Sequence, residues 1–529
     1  MRRIDPATLR AWLQDGGELA LLDAREEGEF ASAHLFWAVP CPLSRRELRA
    51  RTLLPRPGVR IVCTDGGGDQ AERLAEWLES VGYGDVSVLA GGTPAWAASG
   101  GELFSGVNVP SKAFGEWVEH HYGTESIDPH ELKSLIETKR KLVILDSRPF
   151  DEFKRMSIPG ARNVPGGELA YRIGDLAPDP DALIVVNCAG RTRSILGAES
   201  LRRAGVPNPV VALRNGTMGW ELAGYPLTRG AAERYPLGRP HTEALAQDRA
   251  RAFAEASGAG VIGALDLARF EDDPDRTVYV FDVRDPDEYH AAHRPGSISA
   301  PGGQLVQATD QWIGVRNARI ALIDDDGVRA RMTASWLRQM GHGDVFTVDG
   351  GLAEASRRAA DKIPLPELRT KVPTISVADL ARALDTGTGT VVVDVARSTE
   401  FREGHMPGAH WGVRTRLSTL RNVLGAAHRV AVTSPDAALA GLAYDEVHQL
   451  TQGQTFVLDG GTAAWRAFGR PLVRDRKTPP DEACVDAWLR PYDRNEGVAE
   501  AMRAYLSWEV GLLDQIKREP SVKFGVEAG

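Results

Sequence analysis

Cysteine is scarce in this sequence, and no two cysteines form a CxxC pair. The 529 residues include four cysteines, at Cys41, Cys63, Cys188 and Cys484. Four scattered cysteines without a CxxC pair argue against a disulfide framework and against a cysteine zinc site. We therefore expect a reducing compartment, with the cytoplasm as the default.

Long apolar runs and an excess of positive charge are also missing. No stretch approaches the ~18 unbroken apolar residues of a membrane span, and the first residues lack the apolar core of a secretory signal. The net charge is −9, whereas a nucleic-acid-binding protein usually has a basic face. These absences argue against membrane, secreted and nucleic-acid-binding proteins. The hydrophobic content of 43% and charged content of 26% are ordinary for a soluble globular chain.

The chain contains four copies of one pattern. Its length already indicates several domains, because one hydrophobic core rarely grows past roughly 250–300 residues. Each copy has an apolar β-type run, an Asp, and an acidic–aromatic pair six and seven residues later: LALLDAREEGEF, LVILDSRPFDEF, VYVFDVRDPDEY and VVVDVARSTEF. A second landmark in each copy is a strand, a Gly turn and a helix start. There the third copy has Ala355, whereas the others have Trp96, Trp220 and Trp465.

Between these landmarks, each copy has another strand followed by a helical stretch. Aligning these helices places Cys188 opposite Asp65, Asp324 and Ser434. The separation from the early Asp is 42 residues in three copies and 40 in the fourth: Asp23 to Asp65, Asp146 to Cys188, Asp282 to Asp324, and Asp394 to Ser434. The near-constant spacing supports this register.

Short apolar strands alternating with amphipathic helices predict an α/β fold. We expect four tandem domains, each a mostly parallel sheet flanked by helices, over residues 1–104, 127–229, 261–364 and 373–474. The first two linkers read as partly helical. A C-terminal helical tail over 475–529 reads as two helices broken near Pro491. A cap on the last domain or a dimer contact is the favoured interpretation of the tail, and an active-site lid is the alternative.

Cys188 lies between the strand ALIVVN and the helix SILGAESLRRAG. Gly190 allows a tight curve in the intervening loop, whose backbone N–H groups can converge on an anion. The start of the next helix adds partial positive charge, and Arg191 and Arg193 add full charges. Together these effects favour the thiolate, which is the nucleophilic form. The other three cysteines lack such a loop, and we interpret them as passive buried thiols.

The second copy resembles a rhodanese domain. Four of its segments follow one another in the order of that family: LDSRPFDEF, IPGARNVPGGEL, CAGRTRS and NGTMGWELAGYPL. Over roughly residues 1–475, the chain resembles a tandem protein of four rhodanese-like domains. The resemblance implies that Cys188 is the catalytic residue and carries a persulfide. It also implies a substrate cradle formed by Ala189, Gly190, Arg191, Thr192, Arg193 and Ser194.

The resemblance also implies the reaction. A small anionic donor, with thiosulfate the best guess, gives its outer sulfur to Cys188, and cyanide or a thiol then accepts that sulfur. 3-Mercaptopyruvate and protein persulfides stay open as donors, and no metal or organic cofactor is needed. Arg191 and Arg193 are the candidates to hold the departing sulfite, because guanidinium groups suit oxyanions. Arg148 is expected to brace the fold by pairing with Asp146 or Glu152, whereas Arg172 could reach the pocket.

The other three copies depart from the family pattern, because Asp65, Asp324 and Ser434 have no sulfur to carry. We expect these domains to be inactive in sulfur transfer. They could shape the entrance to Cys188, form a homodimer, or dock a protein sulfur donor or acceptor. We interpret Asp65 and Asp324 as solvated carboxylates at the start of a loop.

Two other functions compete with this interpretation. A cysteine phosphatase needs Cys, five residues and then Arg, and Ser194 occupies that arginine position here. A non-catalytic scaffold, or a carrier that receives sulfur only from a partner protein, would fit the same motifs.

Overall fold

The computed structural model describes residues 1–352, 372–387 and 389–525. These residues form four five-stranded parallel sheets, which we call units 1 to 4 in chain order. Within each unit the strands lie in the order first, fifth, fourth, second, third. The predicted fold class of four tandem α/β units is therefore confirmed. Ala355 and Pro364, used for the third unit's Gly turn and boundary, lie outside the described residues.

Unit 1 contains strands β1 (Arg2–Ile4), β2 (Ala20–Asp23), β3 (Val39–Pro40), β4 (Arg60–Thr64) and β5 (Asp85–Leu89). Its helices are α1 (Pro6–Trp12), α2 (Glu27–Phe30), α3 (Arg46–Leu53), α4 (Gln70–Ser80) and α5 (Gly92–Ala98). The linker to unit 2 contains α6 (Val109–Tyr122). Unit 2 contains strands β6 (Ser126–Ile127), β7 (Leu142–Asp146), β8 (Arg162–Asn163), β9 (Leu183–Asn187) and β10 (Val210–Leu213). Its helices are α7 (Pro129–Glu137), α8 (Phe150–Arg155), α9 (Leu169–Leu176), α10 (Thr192–Arg203) and α11 (Gly216–Leu222).

The second linker contains α12 (Glu243–Ser257). Unit 3 contains strands β11 (Gly260–Ile262), β12 (Val278–Asp282), β13 (Ile298–Ser299), β14 (Arg319–Ile323) and β15 (Val345–Val348). Its helices are α13 (Ala264–Glu271), α14 (Pro286–Ala291), α15 (Gly302–Gln307), α16 (Thr309–Trp312) and α17 (Arg329–Gln339). Unit 4 contains strands β16 (Thr374–Ile375), β17 (Thr390–Asp394), β18 (His410–Trp411), β19 (Arg429–Thr433) and β20 (Gln454–Leu458). Its helices are α18 (Val377–Asp385), α19 (Ser398–Glu403), α20 (Arg421–Gly425), α21 (Ala438–Leu442), α22 (Tyr444–His448) and α23 (Gly461–Ala467).

The tail contains one long helix, α24 (Val498–Ile516), preceded by single 3-10 turns at Asp481–Ala483 and Pro491–Asp493. The prediction of two α-helices broken near Pro491 is therefore wrong for the first half of the tail. Prolines interrupt that half, and α24 begins directly after Gly497, which has a left-handed backbone. Within the part of the chain that the structure describes, no helix is long and apolar enough to cross a membrane.

The units pack against one another through their linkers and core. Phe114 of α6 contacts Trp336 of α17 with ring centroids 5.9 Å apart, and the Trp336 indole donates a hydrogen bond of 2.8 Å to the Ser200 hydroxyl in unit 2. Unit 4 joins unit 1 through a buried ion pair of 2.9 Å between Arg414 and Glu47. The carboxyl end of β9, where Cys188 follows, thus lies inside an assembly of several units.

A buried Asp–Arg pair joins the end of the second strand to the loop that follows it. In unit 2, Arg148 donates to the two Asp146 carboxylate oxygens at 2.8 and 2.6 Å and to the Met156 carbonyl at 2.7 Å. The predicted bracing role of Arg148 is confirmed. Units 1 and 3 repeat this arrangement with Asp23–Arg25 and Asp282–Arg284.

Replacing Arg148 by alanine leaves the Asp146 carboxylate buried without its cation. We expect a loss of about 3–5 kcal/mol in the free energy of unfolding of unit 2. Urea unfolding followed by tryptophan fluorescence measures this loss. The matched control is Arg162→Ala, because Arg162 is exposed. Equal unfolding midpoints for the two variants would contradict the bracing role.

Candidate active site

Cys188 immediately follows β9, at the carboxyl edge of the unit 2 sheet. Its carbonyl accepts hydrogen bonds from the backbone N–H and the hydroxyl of Thr217 at 2.8 and 3.0 Å. The side-chain amide of Asn187 donates to Asp146 and to the Thr217 hydroxyl at 3.1 and 3.2 Å. The Cys188 thiol lies 3.5 Å from the Ser194 hydroxyl. Buried polar contacts therefore fix the backbone beneath the sulfur.

Five consecutive backbone amides directly after Cys188 have no hydrogen-bond acceptor. Within the described residues, the N–H groups of Ala189 through Arg193 make no hydrogen bond. The last two belong to the first turn of α10, a helix of 12 residues, whose N-terminal amides cannot bond within the helix. The helix dipole adds positive potential at the same end. Unpaired amides at a helix N-terminus suit an anion.

The aligned residues of the other units fill this position themselves. Asp65 accepts the N–H groups of Gly67 and Ala71 at 2.7 and 2.9 Å, and the Ser434 hydroxyl accepts that of Ala440 at 3.0 Å. Asp324 likewise accepts the N–H groups of Gly327 in the loop and Ala330 at the start of α17, at 3.1 and 2.9 Å. Each of these side chains accepts the backbone N–H six positions on, and the Cys188 thiol contacts the hydroxyl of Ser194, also six positions on, so the geometry supports the sequence register. In units 1 and 3 a carboxylate of the chain therefore accepts one of the five equivalent N–H groups, that of Gly67 or that of Gly327.

The interpretation of Asp65 and Asp324 as solvated carboxylates is wrong. Their exposed fractions are 2% and 8%, because both carboxyl groups turn inward onto their own loops. Burial and the neighbouring Asp326 raise the pKa of Asp324.

Both arginines of the Cys188 loop are already paired with carboxylates. Arg191 contacts Glu116 of α6 at 2.7 and 2.8 Å and also Glu119. Arg193 contacts Glu152 of α8 at 3.1 and 2.8 Å. Burial opposes ionisation of Glu152, but the attraction of Arg193 and Arg490 lowers the pKa of Glu152 to about 2. The charges of Arg191 and Arg193 are thus compensated, and their binding of sulfite stays a prediction.

A cavity of about 300 Å³ reaches Cys188, whose residue is only 2% exposed. Its wall contains residues of all four units and of the tail, among them Glu27, Cys188, Gln311, Arg397, Trp488, Arg490 and Tyr505. The Trp and Tyr stripe that is visible in the tail sequence therefore lies against the cavity. It does not serve only as a cap on unit 4.

Glu509 of α24 connects the tail to the cysteine loop. Its side chain accepts hydrogen bonds from Lys112 at 3.0 Å, from Thr192 at 3.2 Å and from Tyr505 at 2.9 Å. The sequence gives no local signal for these contacts, because Glu509 lies 317 residues from Thr192.

Gly190 packs closely against side chains of α11 and the tail, and its backbone is not one that favours glycine. It is not among the glycines with positive φ. A Cβ atom there would lie 3.0–3.1 Å from atoms of Met218, Glu509 and Tyr505. A larger residue would therefore require these side chains of α11 and the tail to shift by a few tenths of an ångström.

Arg490 is a further cation in the wall of the Cys188 cavity, and the sequence contains no local signal for this position. Its side chain is 46% exposed and lies 3.7 Å from Glu152. By contrast, the structure does not bring Arg172 to this cavity, so that expectation is wrong. Arg172 pairs with Glu168 at 2.6 Å and donates to two backbone carbonyls of the second linker.

The other three thiols lie away from this cavity. Cys41 and Cys63 are fully buried, and burial raises the pKa of Cys41 to about 12 and that of Cys63 well above its ordinary value. Cys484 is also buried, which raises its pKa. The interpretation of these cysteines as buried thiols is confirmed.

Comparison with known proteins identifies the family. The model of the rhodanese-like domain matches residues 5–99, 128–223 and 265–357, more than half of the chain. The crystal structure of thiosulfate sulfurtransferase from Pseudomonas aeruginosa has a TM-score of 0.92 and 45% identity, covering 99% of this chain and 100% of that one. This whole-chain match supports a rhodanese-like sulfurtransferase.

Two curated relatives match parts of the chain. The HTH-type transcriptional regulator Rv0324 of Mycobacterium tuberculosis is 36% identical over 92 residues, which are 17% of this chain and 39% of that protein. The putative sulfur carrier protein YrkF of Bacillus subtilis is 25% identical over 185 residues, which are 34% of this chain and 91% of that protein. The chain thus spans well under half of the regulator and most of the carrier. Together, the family match and the four repeated sheets show that this chain belongs to the rhodanese family, with its rhodanese-like domains arranged in tandem.

Proposed function

We propose that this protein transfers the outer sulfur of thiosulfate, or of a similar small anionic donor, to cyanide or a thiol through a persulfide on Cys188. The observation that carries this proposal is the position of Cys188 on the wall of a cavity, beside five backbone amides that have no acceptor. The whole-chain similarity to a thiosulfate sulfurtransferase supports thiosulfate as the donor.

The first displacement loads the enzyme. After the thiol loses its proton, the Cys188 thiolate attacks the outer sulfur of thiosulfate, and a new S–S bond forms. The bond between the two sulfur atoms of thiosulfate breaks, and its electron pair leaves with sulfite. The free amides of residues 189–193 stabilise the negative charge of the persulfide and of the donor.

The second displacement unloads the enzyme. A cyanide ion or an acceptor thiolate attacks the outer sulfur of the persulfide, and Cys188 leaves as a thiolate. No net oxidation occurs, because the sulfane sulfur moves between two nucleophiles.

Arg490 provides the charge for the oxyanion end of the donor. Arg191 and Arg193 are held by carboxylates on α6 and α8, so in this proposal they mainly keep the loop in place. Arg490 projects from the tail into the same cavity and is nearly half exposed. A guanidinium group there can bind two oxygens of thiosulfate or sulfite.

Units 1, 3 and 4 take a structural role in this proposal. They contribute walls to the Cys188 cavity, and their own aligned positions hold Asp65, Asp324 and Ser434. We propose that the four domains span residues 1–104, 127–229, 261–364 and 373–474. We also propose a cytoplasmic location. A homodimer remains a prediction.

A sulfur carrier is the second candidate, favoured by the similarity to the putative carrier YrkF. A carrier would take sulfur from a protein persulfide and give no thiocyanate from thiosulfate and cyanide. The thiocyanate assay on the full-length protein separates the two candidates.

Substitution of Cys188 by serine is expected to abolish thiocyanate formation, because a hydroxyl cannot carry the sulfane sulfur. Cys63→Ser is the control and should keep most of the activity, since Cys63 lies inside β4. The initial rate of thiocyanate formation is the measurement. Loss of activity in Cys63→Ser with retention in Cys188→Ser would show that the register is wrong.

Alkylation of the folded protein should single out Cys188. At about pH 8, iodoacetamide reacts with accessible thiolates, and we expect modification of Cys188 while Cys41 and Cys63 stay protonated and buried. Peptide mapping by mass spectrometry reads this out, and the urea-denatured protein serves as the control with all four thiols reactive. Labelling of Cys41 or Cys63 ahead of Cys188 would refute the expected order.

Replacement of Arg490 by alanine should raise KM for thiosulfate about 10- to 100-fold, the effect of losing a charge-assisted hydrogen bond. The matched control is Arg494→Ala, four residues on in the same segment, where the side chain is exposed. Steady-state kinetics with cyanide in excess measures KM. An unchanged KM in Arg490→Ala would remove Arg490 from donor binding.

A further inference from the structure

Unit 4 lacks an arginine that the other three units share. In units 1 to 3, the residue two positions after the strand-end Asp is an arginine, and its guanidinium group donates to both carboxylate oxygens at 2.6–2.9 Å. The same group donates to a backbone carbonyl eight residues on, at 2.7–2.8 Å. In unit 4, Ala396 occupies this position.

The acceptors of that arginine remain in unit 4. Asp394 is 1% exposed, and one of its carboxylate oxygens accepts the Ala396 N–H at 2.9 Å, as in the other units. Gly404 lies at the position of the accepting carbonyl. Within the described part of the chain, no Lys or Arg pairs with Asp394. Burial without a cation raises the pKa of Asp394 to about 7.

The space beside these acceptors is open. A cavity of about 740 Å³ is lined by Asp394, Ala396 and Gly404, the three residues around the missing guanidinium group. This cavity adjoins the Cys188 cavity, because Glu27, Arg397, Trp488 and Arg490 line both.

Arginines also line this cavity. Among the residues that the structure describes, Arg466, Arg474 and Arg476 have no carboxylate within 4.0 Å, although all three line the cavity. Other arginines of the wall are compensated, such as Arg402 by Asp481 at 2.8 Å. The cavity therefore combines one buried carboxylate with uncompensated positive charge.

We propose that this cavity binds a small molecule that carries a guanidinium group at one end and a carboxylate at the other, as free arginine does. The guanidinium group takes the place of the missing side chain, between Asp394 and the Gly404 carbonyl. The carboxylate of the ligand pairs with the uncompensated arginines. This proposal does not depend on the sulfur chemistry of Cys188, although the two cavities share part of their walls, including Arg490.

Isothermal titration of the full-length protein with L-arginine tests this proposal, with agmatine and L-lysine as comparison probes. We expect saturable binding of arginine, weaker binding of agmatine because it lacks the carboxylate, and weaker binding of lysine because it lacks the guanidinium group. Asp394→Asn and Ala396→Arg should each weaken arginine binding about tenfold or more. Ala396→Arg should also raise the melting temperature, since it restores the pair found in the other units.

Glu403→Gln is the matched control, because Glu403 is an exposed carboxylate of the same cavity. The Glu403→Gln protein should bind arginine with the affinity of the wild type. Absence of saturable arginine binding would overturn the proposal, as would wild-type affinity in Ala396→Arg. Lysine binding as tightly as arginine would refute the guanidinium site, and agmatine binding as tightly would refute the carboxylate contact. The thiocyanate assay on the same samples reports on Cys188 independently.

Discussion

The proposed sulfur transfer depends on a set of backbone amides that the fold leaves without acceptors. Parallel strands followed by helices bring the start of α10 to the carboxyl edge of the unit 2 sheet, and a short loop there cannot satisfy its own N–H groups. In units 1 and 3, Asp65 and Asp324 each accept one N–H of the equivalent stretch, from Gly67 and from Gly327, and a second from the residue aligned with Ser194. In unit 2 the thiol of Cys188 does not accept them, so they are free to bind a negatively charged sulfur species.

Much of this arrangement could be predicted from the sequence, because it repeats. The strand-end Asp, the near-constant spacing to Cys188 and the apolar strands are local patterns, and they indicated the fold class, the register of the four copies and the Asp146–Arg148 pair. The direction in which a side chain points was harder to predict from the sequence. Asp65 follows a strand and precedes glycines, and this pattern is also typical of a solvated loop residue. Its carboxylate is buried only because the path of the folded loop turns it inward.

Contacts between distant segments were not visible in the sequence. The carboxylates that compensate Arg191 come from α6, and Arg490, Tyr505 and Glu509 come from the tail, several hundred residues from Cys188 in the chain. From the sequence, Arg191 and Arg193 were therefore expected to carry free positive charge, whereas in the folded chain carboxylates compensate both of them. In the proposed function, attraction for an anionic donor therefore comes from the amides and from Arg490, and the tail forms part of the wall of the Cys188 cavity.

The most direct measurement is mass spectrometry of the protein after treatment with thiosulfate and digestion without reductant. The account predicts one added sulfur, about 32 Da, on the peptide that contains Cys188, and its removal by cyanide. An added sulfur on the peptides of Cys41, Cys63 or Cys484, with Cys188 unmodified, would contradict it.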